Sequence, residues 1–230
     1  MCRYLLFLLF YSLSLYSCSQ NGQKEMDQMT QTNNQTGATY LALGDSYTIG
    51  QSVAESERWP VQLVDVLNAQ ERPFANPEII ARTGWTTGDL LKELDATESK
   101  GTYDWVSLLI GVNNQYQGRS IDEYSTQFEE LLKRAIAYAG GKKDRVFVVS
   151  IPDYAYTPFG GGSTNISQQI DAFNAINQSI SGQYEVHYVN ITDISRKGLE
   201  QPDLVASDGL HPSGKMYAEW VSRITDQVLF

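Results

Sequence analysis

Three side chains that could act together as nucleophile, base and acid stand far apart in this sequence. Ser46 lies in the segment GDSYT (44–48), directly after a short apolar run. His211 follows Asp208 by three residues in the segment DGLHP (208–212), near the C-terminus. An imidazole can remove the proton of a serine hydroxyl when a carboxylate holds its other ring nitrogen. The residue types predict nucleophilic catalysis, although each residue taken alone also fits a helix cap or a turn.

Two further segments offer hydrogen-bond donors that suit a developing oxyanion. Gly84 lies in ARTGWTTG (81–88), and Asn113 lies in IGVNN (110–114). A glycine amide and an asparagine side-chain amide can stabilise a tetrahedral intermediate if the fold brings them to the serine. Singly, Gly84 fits a turn and Asn113 fits an Asx turn.

Composition excludes several other functions. Lys and Arg total 17 against 27 Asp and Glu, a net charge of −10, so the chain has no basic excess for nucleic acid. Its two cysteines, Cys2 and Cys18, precede the globular part, which argues against a disulfide framework or a cysteine metal site. The two histidines are too few for a multi-histidine metal centre, and His187 fits a strand pattern as a structural or surface residue. We expect no cofactor and no metal.

The elements that must position these residues follow an alternating pattern. Short β-rich runs alternate with segments of helical period, which is typical of βαβ units, a parallel sheet and a three-layer α/β/α sandwich. The predicted strands are 39–43, 78–81, 105–110, 146–151 and 185–190. Apolar residues recur at three- and four-residue steps in the helical segments, at Tyr124, Phe128, Leu131, Leu132, Ala135, Ile136 and Ala139, at Ile166, Ile170, Phe173, Ile176 and Ile180, and at Tyr217, Trp220, Val221, Ile224 and Val228. Ligands of such sheets bind beyond the carboxyl ends of the strands, where all four segments fall.

Taken in order, the four segments resemble those of the SGNH (GDSL-type) hydrolase family, over residues 38–230. The resemblance implies that Ser46 is the nucleophile and that Asp208 and His211 complete the triad. It implies an oxyanion hole formed by the Ser46 amide, Gly84 and Asn113. It also implies a flavodoxin-like fold with strand order 2-1-3-4-5 and no metal cofactor.

The expected substrate is an ester, and aromatic residues are the candidates to contact it. Tyr47 replaces the family's usual leucine and Asn114 an acid often found there, so both are expected to border the site. The expected lining residues are Tyr47, Trp85, Asn114, Tyr116, Tyr154 and Tyr156, together with Trp59 and the loop 153–162. Glycines 160–162 predict a mobile rim for the irregular stretch 153–165, and no insertion is long enough for a separate lid.

Several substrates and one other class of function stay open at this point. We expect short-chain acyl esters, with O-acetylated carbohydrate as a candidate. Alternatives are a lipase, lysophospholipase or thioesterase acting on longer chains, and a catalytically silent, lipid-anchored binding module.

The N-terminus predicts export. Residues 4–15 are almost entirely apolar behind Arg3, too short a run for a comfortable membrane span and suited to a signal peptide. Leu15-Tyr16-Ser17-Cys18 resembles a bacterial lipobox, which implies a signal peptide at 1–17, lipidation of Cys18 and attachment to the cell envelope. Residues 18–37 are polar and predict a flexible tether. An ordinary secretory signal is the alternative.

Overall fold

The computed structural model describes residues 37–97 and 101–230, and its centre is one parallel sheet. Within those residues five strands pair in the order β2-β1-β3-β4-β5. The strands are β1 (Tyr40–Gly44), β2 (Glu78–Ala81), β3 (Trp105–Leu109), β4 (Val146–Val149) and β5 (His187–Val189). This confirms the predicted α/β/α fold and the strand order 2-1-3-4-5. The predicted signal peptide, Cys18 and nearly all of the tether lie outside the described residues.

Helices cover both faces of the sheet. In chain order they are α1 (Ser46–Ile49), α2 (Trp59–Ala69), α3 (Thr87–Ala96), α4 (Val112–Tyr116), α5 (Ile121–Tyr138), α6 (Thr164–Tyr184), α7 (Thr192–Ser195) and α8 (Gly214–Gln227). Helix α2 packs against α8, while α5 packs against α3 and α6. Most apolar side chains of the predicted helix stripes are buried, as their spacing predicts, while Ile136, Ile166 and Ile176 are partly buried against the core. None of the helices in the described residues is long and apolar enough to cross a membrane.

The largest difference from the predicted strands is at β5. The strand was predicted from residue 185, but Glu185 ends helix α6 with a left-handed backbone, at φ 60°. Pairing with β4 therefore begins at His187, opposite Phe147. Both ends of β2 and the starts of β3 and β4 agree with the prediction, and the remaining strand ends differ by one or two residues.

The register of the sheet brings the functional segments to one edge. Gly44, the last residue of β1, lies beside Ala81 on β2 and Leu109 on β3. The segments that follow these three strands therefore start side by side. A Cβ atom at position 44 would lie 2.1 Å from Thr48 Oγ1 and 2.5 Å from the Leu109 carbonyl oxygen, so only glycine fits this turn.

Several large aromatic residues lie in the core. Trp59, Trp105 and Trp220 are fully buried, and the Trp59 ring packs edge-on against Phe147. Trp59 is therefore a core residue, and the expectation that it lines the substrate site was wrong. Its indole faces the sheet because α2 packs there through its apolar stripe.

Candidate active site

Ser46 is the first residue of helix α1, and only Asp45 separates it from the end of β1. Asp45 caps this helix, and its Oδ1 accepts a hydrogen bond from the Tyr47 amide at 3.0 Å. Burial raises the pKa of Asp45 to about 7, against hydrogen bonds that lower it. The Ser46 amide donates to no other group in the described part of the chain, so its N–H is free to bind a ligand.

A hydrogen-bonded chain joins Ser46 to His211 and Asp208. The Ser46 hydroxyl lies 3.0 Å from His211 Nε2, and His211 Nδ1 lies 2.6 Å from Asp208 Oδ2. Asp208 Oδ1 accepts the backbone amides of Leu210 and His211, each at 2.9 Å. These two amides hold the carboxylate against the turn that carries the imidazole.

The charge on Asp208 determines which nitrogen of His211 carries a proton in this series of hydrogen bonds. Partial burial acts to raise the pKa of Asp208, but hydrogen bonds from Ser52, His211 and Leu210 together hold it well below its usual range. Asp208 is therefore a carboxylate at neutral pH and can only accept hydrogen bonds. Nδ1 of neutral His211 must carry the proton, which leaves Nε2 as the acceptor for the Ser46 hydroxyl.

A tyrosine ring packs on the imidazole. The centroid of the Tyr47 ring lies 5.4 Å from that of His211, with 54° between the two planes. Burial raises the pKa of Tyr47 well above its usual value, with a further contribution from the charge of Asp45. The ring beside the imidazole is therefore uncharged.

Two more donors lie beside Ser46. Gly84 has φ of +83°, in the left-handed region that favours glycine, and within the residues described its amide donates to no other group. Asn113 Nδ2 donates to the Trp85 carbonyl at 3.0 Å, which orients the side chain and leaves its second N–H available. Gly84 and Asn113 line the same cavity as Ser46. The structure thus brings together all five residues predicted for the triad and the oxyanion hole.

The cavity above Ser46 is small and rimmed by aromatic side chains. Its volume is 280 Å³. Its lining comprises Ser46, Tyr47, Gln51, Thr83, Gly84, Val112, Asn113, Tyr116, Tyr154, Phe159, Leu210 and His211. At the mouth, the rings of Tyr116, Tyr154 and Phe159 contact one another at centroid distances of 6.2–6.3 Å. Among the described residues, no cluster of three His, Cys, Asp or Glu could hold a metal ion.

Besides Trp59, three residues predicted to line the site do not do so. Trp85 packs on the core and contributes its carbonyl to Asn113. Asn114 is fully buried, where its Oδ1 accepts the Thr87 amide at 2.9 Å and its Nδ2 donates to the Thr87 hydroxyl at 2.7 Å. Tyr156 is half-buried and lies outside the cavity lining. Tyr47, Tyr116 and Tyr154 do line it.

The rim loop 153–162, for which the glycines predict mobility, is joined to the rest of the domain by several hydrogen bonds. Buried Asp153 accepts Arg196 Nε at 2.9 Å and the Ser167 hydroxyl at 2.6 Å. The Phe159 amide donates to the Gly209 carbonyl at 3.0 Å, which joins the loop to the turn that carries Asp208 and His211.

Sequence reasoning missed several residues at the site. Gln51, Thr83, Val112 and Leu210 line the cavity, and Ser52 contacts Asp208. None belongs to a recognisable pattern of residue types. Their common signal is position, since each lies within about six residues of a residue that the sequence did identify.

The family assignment agrees with this geometry. The GDSL-like lipase/acylhydrolase family matches residues 42–219, well over half of the chain, and the chain belongs to this family. The protein is a carboxylic ester hydrolase. Among curated protein sequences, none matches the chain significantly.

Solved structures share the fold at low sequence identity. The acetylxylan esterase Axe2 from Geobacillus stearothermophilus is 19% identical, with a TM-score of 0.67 over 84% of this chain and 95% of that one. The psychrotrophic esterase EstA from a Pseudoalteromonas species is 22% identical, with a TM-score of 0.64 over 83% and 96%. TesA is 17% identical, with a TM-score of 0.66 over 82% and 97%.

Proposed function

We propose that this protein is a serine esterase that cleaves short-chain acyl esters, with Ser46 as nucleophile, His211 as base and Asp208 as the orienting acid. The observation that carries the proposal is the continuous hydrogen-bonded chain from Asp208 through His211 to Ser46, at the floor of a cavity. A binding module without catalytic activity would not require these hydrogen bonds between Asp208, His211 and Ser46.

Acylation begins when the Ser46 oxygen attacks the ester carbonyl carbon. His211 Nε2 takes the hydroxyl proton as the new C–O bond forms, and the carbonyl oxygen becomes an oxyanion. The amides of Ser46 and Gly84 and the free N–H of Asn113 donate to that oxygen. When the intermediate collapses, the bond to the leaving alcohol breaks and His211 returns its proton to the alcohol oxygen.

Deacylation repeats these steps with water. His211 removes a proton from a water molecule, whose oxygen attacks the acyl carbon bound to Ser46. The second intermediate uses the same donors, and the bond to Ser46 breaks as His211 protonates the serine oxygen. The products are a carboxylic acid and the regenerated enzyme, so the cycle needs no cofactor.

The size of the cavity supports short acyl groups. Small-molecule sites usually have volumes of about 300–1,000 Å³, and 280 Å³ lies just below that range. The cavity must also receive part of the alcohol, so little room is left for a long acyl chain. The hydrogen-bonded rim loop 153–162 limits widening of the mouth.

The aromatic rim supports a carbohydrate as the alcohol. Tyr116 is 61% exposed and Phe159 is 55% exposed, and their rings contact each other at the cavity mouth. Flat apolar rings with a nearby polar group suit the face of a sugar. The same exposed apolar area favours the second candidate, a longer acyl chain lying across the rim.

Two experiments test the proposal. Ser46→Ala should abolish hydrolysis of p-nitrophenyl acetate, while Ser56→Ala, at an exposed serine nearby, should retain it. A fluorophosphonate probe should add its mass to the peptide containing Ser46. Appreciable turnover by Ser46→Ala would contradict the assignment of the nucleophile.

The chain-length preference is decided by kcat/KM across p-nitrophenyl esters and an acetylated oligosaccharide panel. We expect the maximum at two to four carbons. A maximum at ten carbons or longer would support the lipase alternative instead.

We also propose that the protein is exported and anchored to a bacterial membrane by a lipid on Cys18. The support is the lipobox-like sequence at residues 15–18 and the polar segment after it. Cys18→Ser should move the protein from the membrane fraction to the soluble fraction of its native host. Unchanged fractionation would favour an ordinary secretory signal.

A further inference from the structure

Asp208 has a side-chain partner besides His211. The Ser52 hydroxyl donates to Asp208 Oδ2 at 2.6 Å, and this is the oxygen that accepts His211 Nδ1–H, also at 2.6 Å. Ser52 and Asp208 lie 156 residues apart in the chain. Asp208 Oδ1 is held by two backbone amides, so both oxygens of this carboxylate are fixed.

The backbone at Ser52 has an unfavourable conformation. Ser52 has φ of +68°, in the left-handed region that non-glycine residues rarely adopt. Such a conformation persists only where the surrounding structure holds it, and it recurs at functional sites. Here it lies two residues after the left-handed Gly50 that ends helix α1, the helix that carries Ser46.

The segment after α1 also contacts the loop of Gly84. Gln51 Oε1 accepts a hydrogen bond from the Thr83 hydroxyl at 2.6 Å. Residues 51 and 52 therefore join the helix of the nucleophile both to the loop of a predicted oxyanion donor and to the predicted acid.

We propose that Ser52 is a positioning residue of this active site, which fixes Asp208 Oδ2 so that His211 Nδ1–H points at it and Nε2 points at Ser46. The inference rests on the proposed function. Ser52 contacts neither the nucleophile nor the cavity, so it acts on catalysis through Asp208.

The Ser52 hydroxyl also reduces the negative charge on Asp208 Oδ2, the oxygen that faces His211. Two donors share Oδ2, so removing Ser52 leaves more negative charge on the oxygen facing the imidazole and favours the imidazolium form. The acid limb of the kcat/KM profile should then move to higher pH. The other titratable groups in this part of the site are Asp45, Tyr47, Tyr154 and Tyr217, and the substitution leaves all four in place.

Two substitutions separate the effect of the Ser52 hydroxyl from the effect of its backbone conformation. Ser52→Ala removes the hydroxyl and keeps the unfavourable φ, whereas Ser52→Gly removes the hydroxyl and relieves it. We expect both to lower kcat/KM for p-nitrophenyl acetate by roughly five- to twentyfold, below the full effect of a charged hydrogen bond because water can reach this exposed position. Ser56→Ala is the matched control and should stay within twofold of the wild type.

A readout without substrate uses the two histidines of the chain. In ¹⁵N-histidine-labelled protein, both Ser52 variants should move the titration midpoint of the His211 ring to higher pH. The His187 signal, from a half-buried residue on the edge strand β5, should not move. A folded Ser52→Gly variant with unchanged kcat/KM and an unchanged His211 titration would overturn the inference. If the titration moves but wild-type protein cleaves no ester, the proposed function fails and the link from Ser52 to His211 stands.

Discussion

Replacing Asn113 with alanine removes a side-chain donor beside Ser46 and tests the proposed oxyanion hole directly. One N–H of Asn113 Nδ2 is used on the Trp85 carbonyl at 3.0 Å, so one N–H remains for the oxyanion. Loss of one such donor typically lowers kcat by about 100- to 1,000-fold, or about 3–4 kcal/mol of transition-state stabilisation. Because a neutral ester carbonyl binds this donor weakly in the ground state, KM should change little.

The neighbouring asparagine provides a matched control. Asn114→Ala removes two buried hydrogen bonds to Thr87 and leaves the buried Thr87 amide without its partner. That should cost about 2–4 kcal/mol of stability, which lowers Tm by roughly 5–15 °C in a domain of this size. Well below its lowered Tm, this variant should keep kcat within a few fold of the wild type.

The assay is steady-state hydrolysis of p-nitrophenyl acetate together with thermal unfolding of both variants. Asn113→Ala should lose turnover and keep its Tm, and Asn114→Ala should do the reverse. If folded Asn113→Ala keeps kcat within threefold, the proposed oxyanion hole is wrong. If both variants lose Tm and turnover in parallel, the assignment of separate roles is wrong.

Further predictions concern the buried acid, the rim loop and the aromatic mouth. Burial raises the pKa of Asp45 to about 7, so its stabilising effect is complete below about pH 4, the unfolded value, and is lost as pH rises through 7. In the wild type, Asp45 should lower the unfolding free energy by up to about 4 kcal/mol between pH 4 and pH 8. Asp45→Asn should abolish this part of the decrease when stability is measured by urea titration. Gly160→Ala would place a Cβ 2.0 Å from the Tyr154 carbonyl oxygen, so it should lower stability by about 1–3 kcal/mol and raise KM; an unchanged Tm would contradict this. Tyr116→Ala and Phe159→Ala should raise KM for acetylated oligosaccharides severalfold and leave p-nitrophenyl acetate nearly unaffected, whereas equal effects on both substrates would argue against a sugar platform.

The fold and the meeting of the key segments could be predicted because both follow from local patterns. Apolar runs of β-forming residues mark the strands, and helical spacing marks the faces that cover them. A parallel sheet places the carboxyl ends of its strands at one edge, so Ser46, Gly84 and Asn113 had to approach one another once the sheet was recognised. The start of β5 was harder to predict, because the left-handed backbone of Glu185 just before it leaves no signal in residue type.

The direction of each side chain was decided by the tertiary structure. Asn113 and Asn114 are chemically identical neighbours, yet one lines the cavity and the other is buried on Thr87. Aromatic residues are equally ambiguous: Trp59 lies in the core, while Tyr116 is exposed at the cavity mouth. Residue type gives hydrogen-bonding capacity and apolar area, but burial and orientation depend on how distant elements pack.

Contacts between distant segments show most clearly what the sequence can predict and what only the tertiary structure decides. The sequence alone indicated Asp208 and His211, because their spacing of three residues allows one turn to hold both. Ser52 reaches Asp208 across 156 residues, through a backbone conformation that no propensity favours for serine. Such a contact depends on the exact path of the chain after helix α1, and that path is set by the packing of the whole domain.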